Sequence, residues 1–567
     1  DQQKYIKTIR GRGIQFSAQL EIIGNKVPSN SEEIGIETAS HKPIKEKIRF
    51  NNLNFLYVII GVLILIVGTL FLRPEPITTT PQSTTSINAT YSIAVMPFTD
   101  LSEAGNQEYF GDGISEEILN MLTTNGQLNV TSRTTSFSLK GQNLSTPEIA
   151  NKLGVNYIVE GSVRSSGSRI RITAQLIDAQ NDIHMWSENY DRELNDIFAI
   201  QDEISLAIAD ALKVELVGDA LNEETPTQNM EAYALYLQGH QYFLNRGMGD
   251  VVERIANLKS ANLLLEQAVS IDPNFAEAWA DLAAVYVVLP AYFPNEFSFK
   301  SIASKAENAT NKAIKLQPNS SQAWSIRGFI STNTYQFEDA EQSLLKAIEF
   351  NANNETAWLW LNLHYSAVGN HVQAQIAAER AMALAPQSAI NYTVLGLVHQ
   401  ASGNYEKAKE LQEIAVDQMG FKLGYIDTAL LALYDGDREQ ASTEMNNFLN
   451  SKENDKTSQD ITTYINAYFD DNLKEDAAKM LTTEQDRKLF FGSLLLHDAK
   501  NMVRYFDTTP NNVVFNLRRI YYPIAKPLFA QQAFKDYIIR IGLLSYWKNH
   551  QFPQGCLAVG DNDFTCS

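Results

Sequence analysis

The sequence predicts a multi-domain chain: a β-hairpin, one transmembrane helix, an α+β domain and an all-α solenoid. Three observations predict it. Strand-like alternation surrounds two glycines in residues 4–16, KYIKTIRGRGIQF. An uncharged apolar run, LNFLYVIIGVLILIVGTLFL, fills Leu53 to Leu72. Aromatic and small residues then recur every 34 positions between Trp324 and Ala415.

Composition sets the frame for these elements. The chain has 567 residues, 44% of them hydrophobic, enough to bury several cores. Its formal charge is −20, but residues 1–50 carry nine Lys/Arg against six Asp/Glu. The acidic body should be repelled by nucleic acid and anionic lipid, so a phosphate-binding surface belongs at the amino end.

At that end, Gly11 and Gly13 punctuate the alternation into a tight hairpin with Arg10 and Arg12 at its turn. A two-stranded ribbon with basic tips suits a phosphate backbone or a minor groove. The string Tyr5-Ile6-x-Thr8-x-Arg10-Gly11-Arg12-Gly13 resembles the carboxyl-terminal wing of OmpR/PhoB-type winged helix-turn-helix domains. That family usually has Tyr after the second Gly, where this chain has Ile14. The resemblance covers about the first 20 residues. It implies DNA as a partner, Arg12 as the wing residue meeting DNA with Thr8 and Arg10 nearby, and a recognition helix preceding Asp1. A polar stretch with Pro28 and Pro43 then reads as a linker.

The run over 53–72 is long enough for a ~30 Å hydrocarbon layer at 1.5 Å per residue. HKPIKEKIRF precedes it with four Lys/Arg, whereas only Arg73 follows closely. Positive charge stays inside, which predicts a single-pass inner-membrane protein with a cytoplasmic amino terminus and a periplasmic body.

After a Thr/Ser/Pro-rich spacer, residues 91–216 read as β-α-β-α-β-β-β-α. Thr146-Pro147 has the signature of a helix start, with Thr as its cap. VMPF, YFGDGISEEI, LGVNYIVEGSVR and WSENYDRE resemble the TolB-like domain found in membrane regulators and adenylate cyclases. Gly111-Asp112-Gly113 is not followed by the Lys-Ser/Thr of a phosphate loop, so it reads as a turn before a helix. Asp112, Glu116 and Glu117 read as helix-start acids that favour the dipole. No metal, cofactor or nucleophile motif emerges, and the chain reads as a non-enzyme.

In the repeats, Trp324, Trp358 and Tyr392 hold one register. Ala340, Ala374 and Ala408 keep the same step, as do Ala347, Ala381 and Ala415, and Gly328, Asn362 and Gly396. Small residues allow close helix pairs, and the aromatics are expected between the helices. The pattern resembles the tetratricopeptide repeat, which implies a protein or peptide partner. An earlier repeat near Trp279 is expected, with Pro290–Lys300 as a longer connection.

The only cysteines, Cys556 and Cys566, lie in a turn-rich tail. They suit two free thiols in a reducing compartment or a small disulfide loop in an oxidising one. The expected topology favours the bridge.

The expected organisation is a truncated wing (1–20), a linker (21–52), the span (53–72), a spacer (73–90), a TolB-like domain (91–216), repeats (230–440) and a helical carboxyl-terminal region (441–567). Taken together, the chain resembles ToxR/CadC-type membrane-anchored transcriptional regulators. That resemblance implies a periplasmic signal relayed to a DNA-binding domain, with a change in homodimerisation as the coupling. Two other readings stay open: a periplasmic repeat scaffold for envelope or secretion partners, and the regulatory part of an adenylate cyclase.

Overall fold

The computed structural model describes residues 6–9, 13–16 and most of 91–566, leaving out 104, 106, 124–127, 167–168, 215–225, 248–250, 293–296, 298, 422–423, 451–457, 483–485 and 509–512. Two units are distinct, Asp1–Thr84 and Thr85–Ser567. In the first, β1 (Ile6–Ile9) and β2 (Gly13–Phe16) form an antiparallel hairpin with Thr8 opposite Ile14.

The second unit begins with a mixed sheet. Its strands are β3 (Tyr91–Val95), β4 (Thr99–Asp100), β5 (Leu128–Val130), β6 (Tyr157–Ser166), β7 (Arg169–Asp178) and β8 (Ile183–Glu193). The order is β5-β3-β6-β7-β8, with β4 also on β6. β3 runs parallel to β5 and β6, whereas β6, β7 and β8 form an antiparallel meander. Alternation sends successive side chains of β3 to opposite faces. Ile93 and Val95 join the main core, which includes Ile114 and Ile118 of α1 (Glu108–Thr123). Ala94 and Met96 meet Leu139, Ala150 and Leu153 around α2 (Arg133–Phe137) and α3 (Thr146–Leu153). The cap of α3 is Ser145 rather than Thr146: the Glu148 carboxylate accepts from the Ser145 N–H at 2.8 Å and from its hydroxyl at 2.7 Å. α4 (Ile197–Leu212) completes the sheet unit.

Helical pairs follow: α5 (Met230–Leu244) with α6 (Val251–Ile271), α7 (Ala276–Tyr292) with α8 (Phe299–Leu316), and α9 (Ser321–Asn333) with α10 (Phe337–Phe350). Next come α11 (Glu355–Val368) with α12 (His371–Leu384), α13 (Ala389–Ala401) with α14 (Tyr405–Glu413), and α15 (Tyr425–Tyr434) with α16 (Arg438–Asn450). These pairs are a tetratricopeptide-type solenoid. The expected connection at 290–300 is shorter than the sequence suggests, because α7 continues through Pro290 to Tyr292.

The period has a direct physical basis. A Cβ on Gly328 would meet Leu344 Cγ at 2.4 Å and the Ala340 carbonyl oxygen at 3.1 Å, so α9 and α10 touch there. One repeat on, Asn362 fills the slot and its side-chain N–H donates to the Ala374 carbonyl at 2.8 Å. The tryptophans differ from expectation. They are only half-buried, and each indole N–H donates to a carbonyl six residues earlier: Trp279 to Pro273 at 3.0 Å, Trp324 to Pro318 at 2.7 Å, and Trp358 to Ala352 at 2.8 Å. They fasten the turn between repeats, and Trp279 and Trp358 also pack against the core.

The carboxyl-terminal segment folds back onto the solenoid. Val514 N–H donates to Asn333 Oδ1 at 3.3 Å, Tyr521 hydroxyl to the Ala367 carbonyl at 3.0 Å, and Trp547 Nε1–H to the Val368 carbonyl at 2.7 Å. Leu361 to Val368 of α11 are consequently buried on every side. Gly369 ends that helix at φ +82°, and a Cβ there would meet Pro553 and Tyr521, so only glycine suits both the turn and the packing.

Two expectations are corrected. The first is the fold class: a multi-domain chain of winged-helix remnant, transmembrane helix, TolB-like α+β domain and all-α tetratricopeptide solenoid. Helical repeats dominate the described residues, and the sheet does not stand apart from them. One buried hydrophobic cluster runs from Ile93 through the repeats to Phe564. It crosses the expected 216/230 boundary where Phe198 meets Tyr233 edge-on at 4.8 Å and Gln201 Nε2 donates to the Tyr233 hydroxyl at 3.2 Å. The second is the single-pass inner-membrane placement with a periplasmic body. The predicted span at 53–72 lies outside the described residues, and among the described residues no helix is long and apolar enough to cross a membrane. Charge counts around one apolar run are therefore left without a described element to orient.

Candidate functional site

The most heavily charged buried place among the described residues is the joint between α1 and the first repeats. Glu108, Asp112 and Glu116 recur every four residues and share one face of α1. Lys140 Nζ meets Glu108 Oε1 at 2.6 Å and donates to Asp112 at 2.6 and 2.7 Å. Burial raises the Asp112 carboxyl above its usual range even with Lys140 beside it. Gln241 of α5 also donates to Asp112, at 3.4 Å.

One turn on, Glu116 accepts from Arg133 Nε at 2.7 Å and from His240 Nε2 at 2.9 Å. His240, on α5, donates through Nδ1 to Asp281 Oδ2 of α7 at 2.5 Å. Asp281 Oδ1 accepts from Gln322 Nε2 of α9 at 2.6 Å. The chain of contacts thus links the sheet unit to the first three helical pairs. Burial works against charge on both Glu116 and His240, but mutual attraction wins. Glu116, helped by Arg133, falls to about 2, and His240, held by Asp281 and Glu116, rises to about 10. Glu117 goes the other way: burial and the neighbouring Glu277 and Glu116 push it up to about 8, so it is mostly neutral at pH 7.

The Gly-Asp-Gly segment lies inside α1, not in a turn before it. A Cβ on Gly111 would meet the Phe98 carbonyl oxygen at 2.6 Å, and one on Gly113 would meet Leu237 Cδ2 at 2.5 Å. The glycines let α1 approach the sheet on one side and α5 on the other. Asp112 projects between them to Lys140. Of the acids read from sequence as dipole partners, Asp112 and Glu116 are therefore ion-paired members of an interface, and Glu117 is a buried one held mostly neutral.

Of the residues singled out from sequence, Thr8 is in β1, while Arg10 and Arg12 lie outside the described residues. Cys556 and Cys566 are opposite each other in β9 (Cys556–Val559) and β10 (Asp563–Cys566) and form a disulfide. It closes a short loop, so reducing it should cost about 2–3 kcal/mol by chain entropy. A melting curve run with and without reductant checks this; Cys556→Ser should match the reduced protein. An unchanged midpoint would show that Phe564 packing alone holds the hairpin. Sequence reading missed His240, Asp281 and Arg133, and the four-residue spacing of acids in α1 was the available signal.

Residues 89–206 match the family described as HilA/YgeH-like transcriptional regulator, second domain. That match takes the place of the expected TolB-like domain. The chain is 37% identical over 213 residues to "Putative adenylate cyclase 3" of Rhizobium meliloti, covering 37% of this chain and 35% of that protein. It is 26% identical over 152 residues to anaphase-promoting complex subunit 3 of Schizosaccharomyces pombe, covering 27% of this chain and 21% of that one. Among solved structures, PilF of Pseudomonas aeruginosa aligns at 19% identity and TM-score 0.30, over 41% of this chain and 96% of that one. The chain thus spans about a third of the first curated relative and a fifth of the second, and its similarity to the HilA/YgeH-like model is confined to residues 89–206, ahead of the tetratricopeptide repeats.

Proposed function

We propose that the chain is a non-enzymatic transcriptional regulator whose sheet-and-repeat unit receives a protein, peptide or small-molecule signal and whose amino-terminal hairpin contributes to DNA binding. The observation that carries this reading is the match of residues 89–206 to a transcriptional-regulator domain. The buried joint supports it, because a ligand on the repeats would act on the sheet unit through fixed ion pairs rather than a loose linker. Such coupling needs two states that bind the signal unequally, and a change in homodimerisation is one that a DNA site can read. In this reading Arg10 and Arg12 neutralise phosphates and Thr8 lies beside them.

The experiment is a gel-shift titration of promoter DNA with the full-length protein at several salt concentrations. Arg12→Ala should weaken binding uniformly across sequences and lower the salt slope by about 1. Absence of any shift, or an Arg10/Arg12 double variant that binds and regulates normally, would sink the proposal. A second reading, the regulatory part of an adenylate cyclase, is favoured by the 37% identity to the Rhizobium meliloti relative. Cyclic AMP accumulation dependent on the full-length protein, without promoter binding, would favour it.

A further inference from the structure

We propose that Glu338, Glu341 and His550 bind one first-row divalent metal ion, of the zinc class, that ties the carboxyl-terminal segment to α10. This goes beyond the regulatory reading and does not depend on it. The two glutamates are three residues apart and share a face of α10. His550 comes from 212 residues further along than Glu338, immediately after a short helix, Leu543–Asn549. One nitrogen or oxygen from each of the three lies within 4.8 Å of the others. Ligand atoms held by a tetrahedral zinc at about 2.0–2.2 Å sit roughly 3.4 Å apart, so Glu338 and His550, now 2.6 Å apart, would open slightly to admit the ion.

The ligands are already oriented. Glu341 accepts from Tyr365 on Oε1 at 2.8 Å and from Tyr546 on Oε2 at 2.6 Å. The Tyr546 ring stacks on the His550 imidazole at 4.2 Å and 17°. Outer partners of this kind fix carboxylate and imidazole orientation in metal sites. Asn549 adds a weaker contact to Glu338 Oε1 at 3.3 Å.

The charge balance points the same way. Among the described residues, the cationic partner of both glutamates is His550, at 2.6 Å from Glu338 and 3.6 Å from Glu341, and it is charged only when protonated. A metal ion would offset both carboxylates at once. One imidazole with two carboxylates suits zinc or manganese better than magnesium or calcium, which prefer all-oxygen sites. Three protein ligands leave a fourth position for water. The exposure of His550 leaves a path for the ion.

The test is calorimetric titration of the full chain with zinc chloride, with magnesium chloride at equal ionic strength as the control, alongside thermal melts. We expect saturable one-to-one zinc binding that magnesium does not reproduce. A hundredfold excess over Kd should raise the melting temperature by roughly 3 °C or more. His550→Gln and Glu338→Gln, both at partly exposed positions, should each weaken zinc binding at least tenfold. Tyr546→Phe should weaken it without removing it. No zinc binding, or zinc binding unchanged in both ligand variants and so located elsewhere among the eight histidines, overturns the proposal.

Discussion

Replacing His240 with Ala should destabilise the folded chain by about 3–5 kcal/mol, the range for removing one partner of a buried ion pair. The imidazolium bridges Glu116 and Asp281, whose side chains are 17% and 1% exposed. Its loss leaves two carboxylates facing each other with Arg133 and Gln322 as their remaining side-chain partners among the described residues. Urea unfolding measures the loss; a change within about 0.5 kcal/mol, ordinary for a surface position, would remove the joint from consideration. The pH dependence has a definite sign. His240 is raised from 6.5 to about 10, so its contribution is complete below pH 6.5 and fades as pH rises through 10. Glu116 is lowered from 4.5 to about 2, so its contribution is complete above pH 4.5 and fades as pH falls through 2. Glu117, raised to about 8, subtracts stability as pH rises from 4.5 to 8. The joint should therefore be strongest near about pH 5 and weaken towards pH 10. In His240→Gln the alkaline part of that decline should shrink.

Asp427→Asn should be comparably costly. Asp427 and Arg519 are 1% and 7% exposed, and the carboxylate accepts Nε at 3.1 Å and Nη2 at 3.2 Å. Burial opposes charge on Arg519, but Asp427 more than compensates and raises it. Arg518 next to it is pushed down to about 10 by burial and by Arg519. Removing the Asp427 charge from beside two adjacent buried guanidinium groups should cost about 3–5 kcal/mol. Replacing Asp427 and Arg519 together by Leu and Met should recover most of that loss, because buried pairs often exchange for apolar residues at little net cost. A double variant as unstable as the single one would contradict this account.

The repeats were legible because their physics is local and periodic. Gly328, Asn362 and Gly396 must be small or must hydrogen-bond across the pair, and that requirement recurs every 34 residues. The tryptophans share the period, yet their role depends on where a carbonyl turns six residues earlier, which periodicity does not encode. The joint was illegible for a different reason: His240 is 124 residues from Glu116 and 41 from Asp281. Only folding brings them together. The expected break near 216–230 rested on a change in local pattern, but burial does not follow local pattern. Phe198 and Tyr233 place both sides of that break in one core. The metal cluster shares the same long separation, which is why no ligand spacing announced it.

The place where α1 meets α5 has a consequence for assembly. Helical arrays of this kind present an apolar face at each terminus, and an open face invites a second array to continue the stack. Here that terminus is sealed by the chain itself: Leu237 fills the hollow over Gly113, and the charges around His240 fix the alignment. The amino-proximal end of the array is thereby covered by its own chain, which leaves a second array no open helical face there to continue the stack.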